Sequence, residues 1–385
     1  MKILLVHPHL NFYGGAELVV DKLSQYLLRN GHECVVATLS VSPEMRKRLS
    51  GLEFITSKRS FSDGPKSTSL KGALSLFGEI FELRRLIKAA ARNFDVINVH
   101  NFPTTWAAAG VGKPVIWMCN EPPDLWNNPN PGLALKIIRV VGGFVDRLIV
   151  RRFIVTSVVA DENNGANFEK RYGKVPAIDN YGIDYAFFSQ GKKNESLIKK
   201  YGLSDKFVLI QVGMLTEPKN QLDTLKAFLS VSKKVPRAVL VLAGKGGTDY
   251  EQKLISFIES NNISDRVIFT GQVDQGVVRD LYASADLALF PVKTQGGWLS
   301  PFEALSAGVP VVVYPTMGAA AVIEKNKLGT VSPDLAKAIM INYRDRKAAR
   351  ERARQSQIWI RDNLIWDNFG GRMVDVFRCL WLVRD

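Results

Sequence analysis

Short apolar runs, each followed by a loop and an amphipathic segment, recur along this chain in two separate series. That recurrence constrains the fold more than any other feature. A strand, loop, helix, strand order predicts a parallel α/β sheet with crossover helices. The first series runs KILLVHP at the start, GHECVVATL, FDVINVHN (94–101), KPVIWMC (113–119) and FIVTS (153–157). An amphipathic helix is expected from Ala16 to Arg29, with Leu18, Val19, Leu23, Tyr26 and Leu27 on one face. Residues 56–69, rich in Ser and Lys, read as a loop. The segment 70–92 reads as a helix with Leu70, Leu74, Phe77, Phe81 and Ile87 turned inward. The composition becomes polar and Lys-rich around 185–206. A second series follows: FVLIQVG (207–213), AVLVLAG (238–244), VIFTG (267–271), LALFP (287–291) and VPVVVY (309–314).

A chain of 385 residues is too long for one ordinary core. The two series divide it into doubly wound domains at 1–187 and 188–363. A C-terminal helix over 364–385 carries Trp366, Phe369, Met373, Val376, Phe377 and Leu380 at helical spacing. That stripe has to dock, and the first domain is its expected partner. Hydrophobic content of 46% against 23% charged residues fits a folded globular chain. No apolar run approaches the roughly 18 residues of a spanning helix. The opening MKILLVHPHL is too short an apolar run for a signal peptide, and three scattered cysteines fit a reducing compartment, so a cytoplasmic location is expected. The net charge of +14 is spread over both halves. It suits phosphate-bearing substrates or an anionic membrane surface. No nucleic-acid module is present, so nucleic acid is not an expected partner.

Ligands in open α/β sheets sit at the carboxyl ends of the strands, and the cleft between two such facing domains is the expected site. Gly14 and Gly15 follow the first strand and open a helix, where backbone N–H groups and the helix dipole favour a phosphate. The same pair also makes an ordinary tight turn. This is not the G-x-G-x-x-G of a dinucleotide fold. Lys219, past the strand QVG, is either a solvated cation or the neutralising charge for a diphosphate. His100, at the end of DVINVH, is either a polar cap or a sugar contact. Glu303 lies where a Gly-rich loop becomes a helix, ahead of a buried strand. It either complements the helix dipole, worth about 0.3–1 kcal/mol, or accepts hydrogen bonds from a vicinal diol.

Taken in order, these motifs resemble the retaining glycosyltransferases of family 4, which have the GT-B fold. GGAE (14–17) resembles the family's Gly-rich first loop, and FDVINVH (94–100) its strand ending in a sugar-facing histidine. QVGMLTEPKNQLDTLKAF (211–228) is similar to the start of the nucleotide-binding domain. VIFTGQV and LYASADLALFP resemble the base-binding loop and the strand before the signature. The signature itself pairs two glutamates across seven residues, ahead of A-x-x-A/S-G-x-P-V-V, and its second position here is Glu303. CNEPPDLW (119–126) resembles an acceptor-side loop of mannosyl-transferring members.

The resemblance implies a metal-independent, retaining hexosyltransferase with two facing Rossmann-like domains. His100, Lys219 and Gln295 would lie at the reacting centre. Gly14, Gly15, Gly213, Lys219 and Glu303 would hold the donor, with Glu303 on the ribose, and Asn120 and Glu121 would lie on the acceptor side. A UDP- or GDP-linked sugar would be a substrate, with no metal or other cofactor, and the acceptor a glycan or a lipid-linked molecule. The chain contains no D-x-D. Gln295 stands where the family usually has glutamate, and Met214 where an arginine commonly clamps the diphosphate. An amide hydrogen-bonds hydroxyls without a charge, and losing the guanidinium weakens donor binding. GGW (296–298) replaces the usual aromatic-glycine pair, and DNYGID (179–184) carries one extra residue. A non-catalytic nucleotide-sugar-binding subunit, or another GT-B enzyme such as a sugar-nucleotide epimerase or a phosphorylase, stands as the alternative. The segment LALKIIRVVGGFVDRLIVRR (133–152) reads as a crossover helix with its apolar residues on the sheet. Its cations, with those of 56–71, suggest peripheral contact with the inner face of a membrane.

Overall fold

The computed structural model describes residues 1–61, 70–120, 133–293 and 298–382, the side chains of 70–74, 133–139 and 380–382 excepted. Contacts divide it into two compact units, Met1–Asn180 with Trp366–Asp385, and Tyr181–Ile365.

The first unit contains β1 (Lys2–Val6), α1 (Gly15–Arg29), β2 (Glu33–Thr38), β3 (Glu53–Thr56), α2 (Leu70–Ala90), β4 (Val96–His100) and α3 (Thr104–Ala108). It continues through β5 (Val115–Met118), α4 (Leu133–Phe153), β6 (Thr156–Val159), α5 (Glu162–Tyr172) and β7 (Ala177–Ile178). The strands pair in parallel in the order β3-β2-β1-β4-β5-β6-β7. Ile3 through Val6 are all fully buried, as the central strand of a sheet covered on both faces requires. The pleat sends Leu4, Val6, Ile97, Val99, Val115 and Trp117 to one face. There they meet Leu83 and Ile87 of α2, Ala107 and Ala108 of α3, Val150 of α4, Ile154 just after it, and Phe168 and Tyr172 of α5. Trp117, Phe168 and Tyr172 form a three-ring cluster with centroids 4.7–5.7 Å apart. Each such pair contributes about 0.5–1.5 kcal/mol beyond its buried area.

The second unit contains β8 (Phe207–Val212), α6 (Gln221–Ser232), β9 (Ala238–Ala243), α7 (Thr248–Ser260), β10 (Val267–Gly271), α8 (Gln275–Ser284) and β11 (Leu287–Phe290). It continues through α9 (Leu299–Ser306), β12 (Val311–Val313), α10 (Ala320–Lys325), β13 (Thr330–Val331), α11 (Leu335–Arg344) and α12 (Arg346–Asn363). Its parallel order is β10-β9-β8-β11-β12-β13. Each unit therefore reverses strand order once, at β1/β4 and at β8/β11.

The last helix, α13 (Trp366–Leu382), belongs to the first unit and packs on α1. Trp366, Phe369, Met373 and Phe377 are buried. Gly370 lies so close to the Tyr26 ring that a Cβ there would collide with it. Arg29 reaches Asp367 at 2.6 Å, and the Arg372 Nε donates to buried Asp179 at 2.6 Å.

Several expectations need correction. Phe77 and Phe81 are 61% and 66% exposed, so they do not face inward. Among the described side chains of α4, Val150 meets the sheet, with Ile154 just past the helix, while Val140, Val141, Phe144 and Leu148 lie on the surface. Phe153 closes α4, and the next strand starts at Thr156. Strands β3, β7 and β13 have no counterpart in the sequence reading. They are short and only partly buried, so they lack a continuous apolar run. Leu70, Leu74 and Leu380 have side chains outside the described set, as does the loop at 62–69.

Candidate functional site

At the first reversal point the strand ends carry a polar network that is largely closed on itself. His100, last in β4, is fully buried. Asn98 donates its amide to the Ile116 carbonyl at 3.2 Å, so its Oδ1 accepts from His100 Nε2 at 2.9 Å. The proton therefore resides on Nε2, and Nδ1 is a buried acceptor with no partner among the described residues. Burial, with the His7 ring adding, pushes the imidazole down to about 3. His100 is thus a neutral hydrogen-bonding group at ordinary pH, not a proton acceptor of general-base strength. Asn101, in the left-handed region at φ 55°, meets His7 Nε2 at 3.2 Å and accepts from the Asn120 amide at 2.6 Å. His9 pairs with Glu79 of α2 at 3.2 Å.

Gly14 precedes α1 as expected, but its N–H donates to Glu17 Oε2 at 3.1 Å. The Glu17 carboxylate, 3.8 Å from His7, stands where an incoming phosphate would sit. Gly15 is the first residue of α1. Asn120 joins this network, whereas Glu121 lies outside the described residues.

In the second unit the open strand ends lie to one side of the reversal point. A cavity of about 510 Å³ lies at the carboxyl ends of β8, β9 and β10. Its lining includes Gly213, Gly244, Gly246 and Gly247, with Met214, Lys245, Gln272 and Val273. Gly244 adopts φ 152°, and a Cβ there would run into the Gly213 carbonyl. Only glycine permits that approach, which leaves a flat surface on which a planar ligand can lie. The loop 244–247 was not singled out from the sequence. Its signal was Gly-Lys-Gly-Gly directly after a buried strand.

Lys219 ends a short 3₁₀ turn, and its carbonyl accepts from the Gln211 amide at 2.8 Å. Its aliphatic stem passes 4.0 Å from where a Cβ on Gly213 would stand, which brings it beside the cavity rim. Met214, 66% exposed, offers no charge there. Trp298, at the start of α9, is buried, stacks on Phe302 and donates its indole N–H to the Tyr181 carbonyl at 3.1 Å. That anchor fixes α9, which carries Glu303. Glu303 is not a lining residue of the cavity, and it makes no hydrogen bond or ion pair among the described residues. Although the residue keeps partial exposure, its carboxyl is deep enough that burial, then the nearby Asp184 charge, pushes it up to about 7. A buried, unpaired carboxyl is costly for stability and signals a ligand-facing role. Gln295 lies outside the described residues.

Residues 13–157 match the family described as Glycosyltransferase Family 4, and residues 193–357 match Glycosyl transferases group 1. The chain belongs to the family 4 glycosyltransferases, with the GT-B fold. A similar relative is the GDP-mannose-dependent alpha-(1-6)-phosphatidylinositol monomannoside mannosyltransferase of Mycobacterium tuberculosis, 28% identical over 261 residues. That match covers 64% of this chain and 65% of the mycobacterial protein. Another is the alpha-monoglucosyldiacylglycerol synthase of Streptococcus pneumoniae, 27% identical over 48% of this chain and 41% of that one. Among solved structures, Anabaena HepE in complex with UDP superposes with a TM-score of 0.76 at 18% identity, covering 98% of this chain and 100% of that one. At that identity the likeness to this family member speaks for the fold alone.

Proposed function

We propose that this chain transfers a hexose from a nucleotide-sugar to a lipid-linked or glycan acceptor with retention of configuration. The observations that carry the reading are the cavity of the second unit, with its glycine loop, and, in the same unit, the deeply set carboxyl of Glu303, which has no partner among the described residues. A ribose diol donates to an ionised carboxylate, which removes the desolvation cost that Glu303 bears when empty. The nucleoside base lies against the glycine wall, and Lys219 neutralises the departing diphosphate. Gln295 hydrogen-bonds the sugar hydroxyls without adding charge. The first unit receives the acceptor, with the Nδ1 of His100 accepting a hydroxyl hydrogen bond and Asn120 and Glu121 nearby in sequence. The acceptor hydroxyl attacks from the face the leaving group departs, with no protein nucleophile and no metal. The mycobacterial and streptococcal relatives, named for GDP-mannose and for a diacylglycerol product, support a lipid-linked acceptor.

The test is to incubate the protein with UDP- and GDP-hexoses, with and without a lipid-linked acceptor, and to measure nucleoside diphosphate release. Release that requires acceptor, survives a chelator and gives a product of unchanged anomeric configuration supports the reading. A second reading, nucleotide-sugar binding without transfer, is favoured by Met214 and by the Glu17 carboxylate at Gly14. Donor binding without release under any acceptor, together with activity gained by Gln295→Glu, would establish that reading instead.

A further inference from the structure

The turn between β8 and α6, residues 213–220, lines the cavity of the second unit with Gly213, Met214 and Thr216 and ends on Lys219 and Asn220. Three buried amide side chains hold it: Gln211, Asn220 and Gln221, none more than 3% exposed. Each donates to a main-chain carbonyl in or against the turn. Gln221 donates to Met214 at 2.9 Å, Asn220 to Pro291 at 3.0 Å and Gln211 to Lys219 at 2.8 Å. A buried amide is costly unless paired, so three of them spent on one short turn mark its shape as specified.

Gln211 is the least expected of the three. It is the one polar residue of β8, FVLIQV, a central strand whose Phe207, Val208, Leu209 and Ile210 are all buried. An apolar side chain there would serve the sheet equally well. The Gln211 Oε1 accepts from the hydroxyl of Thr224, fully buried on α6, at 2.6 Å. A main-chain carbonyl only accepts, so Nε2 must face Lys219 and Oε1 must face Thr224. A helical threonine often returns its hydroxyl to its own helix, and this one is given to the strand instead. The Lys219 N–H donates to the Thr216 carbonyl at 3.0 Å, so both main-chain polar groups of Lys219 are held. Asn220 then takes the left-handed conformation, φ 58°, that turns the chain into α6. With its main chain fixed, Lys219 places its ammonium through side-chain torsions alone, its stem running beside Gly213.

We propose that Gln211, oriented by Thr224, is the positioning residue that aims Lys219 at the diphosphate of the donor. Gln211 acts through the lysine and not on substrate, so its role rests on the reading of Lys219 as the group that neutralises that diphosphate. An ammonium on a flexible stem gains little from a charge it meets only part of the time. Fixing the root of the stem raises the share of conformers that reach the phosphates. Met214 lines the same cavity without a charge, which makes that share count for more.

Uridine, guanosine, adenosine and their diphosphates are titrated calorimetrically into wild type, Gln211→Met, Thr224→Val, Lys219→Met and Gln211→Met/Lys219→Met. For the base that binds, the ratio of diphosphate to nucleoside affinity reports on the phosphates alone. That ratio falls about tenfold in Gln211→Met and about threefold in Thr224→Val, with nucleoside affinity unchanged in both. In the double variant it falls no further than in Lys219→Met, because Gln211 acts only through that lysine. A Gln211→Met protein that weakens nucleoside and diphosphate equally, or that melts lower and keeps the ratio, overturns the proposal and makes Gln211 a packing residue. So does an additive loss in the double variant. If Gln211→Met does not fold, the ratio in Thr224→Val decides, and an unchanged ratio there overturns the proposal. A ratio unaffected by Lys219→Met, or wild type that binds none of the diphosphates, overturns the donor reading and the proposal together. A ratio lost in Lys219→Met and kept in Gln211→Met overturns the proposal alone.

Discussion

The two units share one strand order, yet they treat the polar groups at their strand ends in opposite ways. In the first, His7, His9, Glu17, Glu79, Asn98, His100, Asn101 and Asn120 are spent largely on one another. In the second, a glycine loop lines an open cavity, and the buried Glu303 carboxyl has no partner among the described residues. A closed network sets shape and presents a few fixed groups. An open one leaves room and hydrogen-bonding capacity for a ligand, which is the role proposed for it. Topology alone does not decide which point becomes a nucleotide site. The residues filling it do.

Four substitutions or conditions would break or sharpen that contrast. Gly244→Ala should have the largest effect, since it adds left-handed strain to a collision with the Gly213 carbonyl. About 3 kcal/mol of stability and all nucleotide-induced stabilisation should vanish, read by thermal melting with and without nucleotide. Glu303→Gln should leave the fold intact but weaken nucleotide binding about thirtyfold, near 2 kcal/mol, read by calorimetry. The third test is pH. The Glu303 carboxyl titrates near 7 when folded, above its ordinary 4.5, so the folded state holds the proton more tightly. Its ionised form therefore costs stability as pH rises between 4.5 and 7, and it is that form which accepts from a diol. Nucleotide affinity should fall about tenfold per pH unit below 7, and Glu303→Gln should flatten the profile. The smallest effect belongs to the first unit. Asn101→Ala should cost about 1 kcal/mol in melting while leaving nucleotide affinity unchanged, because its hydrogen bonds serve the network.

Much of this architecture was legible in the sequence, for a physical reason. Central parallel strands such as ILLV and VLVLA are buried on both faces and read as unbroken apolar runs. Edge strands such as EFIT are partly exposed and carry no such mark. The long helices misled because periodicity reports an apolar stripe without saying what the stripe touches. Phe77 and Phe81 have the spacing of core residues and face solvent. Near the site, the positions of His100 at a strand end, Lys219 past a strand and Glu303 on a helix were readable from pattern. The engagement of Gly14 by Glu17 was not, because two nearby residues reveal their hydrogen bond only once the turn between them is folded. Nor was the tautomer of His100, which depends on where Asn98 sends its amide.

The most direct measurement is a thermal-shift series with UDP, GDP and ADP at pH 8 on the wild type and on Glu303→Gln. A nucleotide at 100 times its dissociation constant should add about 2.7 kcal/mol to the wild type. The account predicts that one of the three stabilises the wild type and that the variant loses most of that gain. No stabilisation by any of them, or equal stabilisation of both proteins, would contradict the assignment of the second unit's glycine-lined cavity as the nucleotide site.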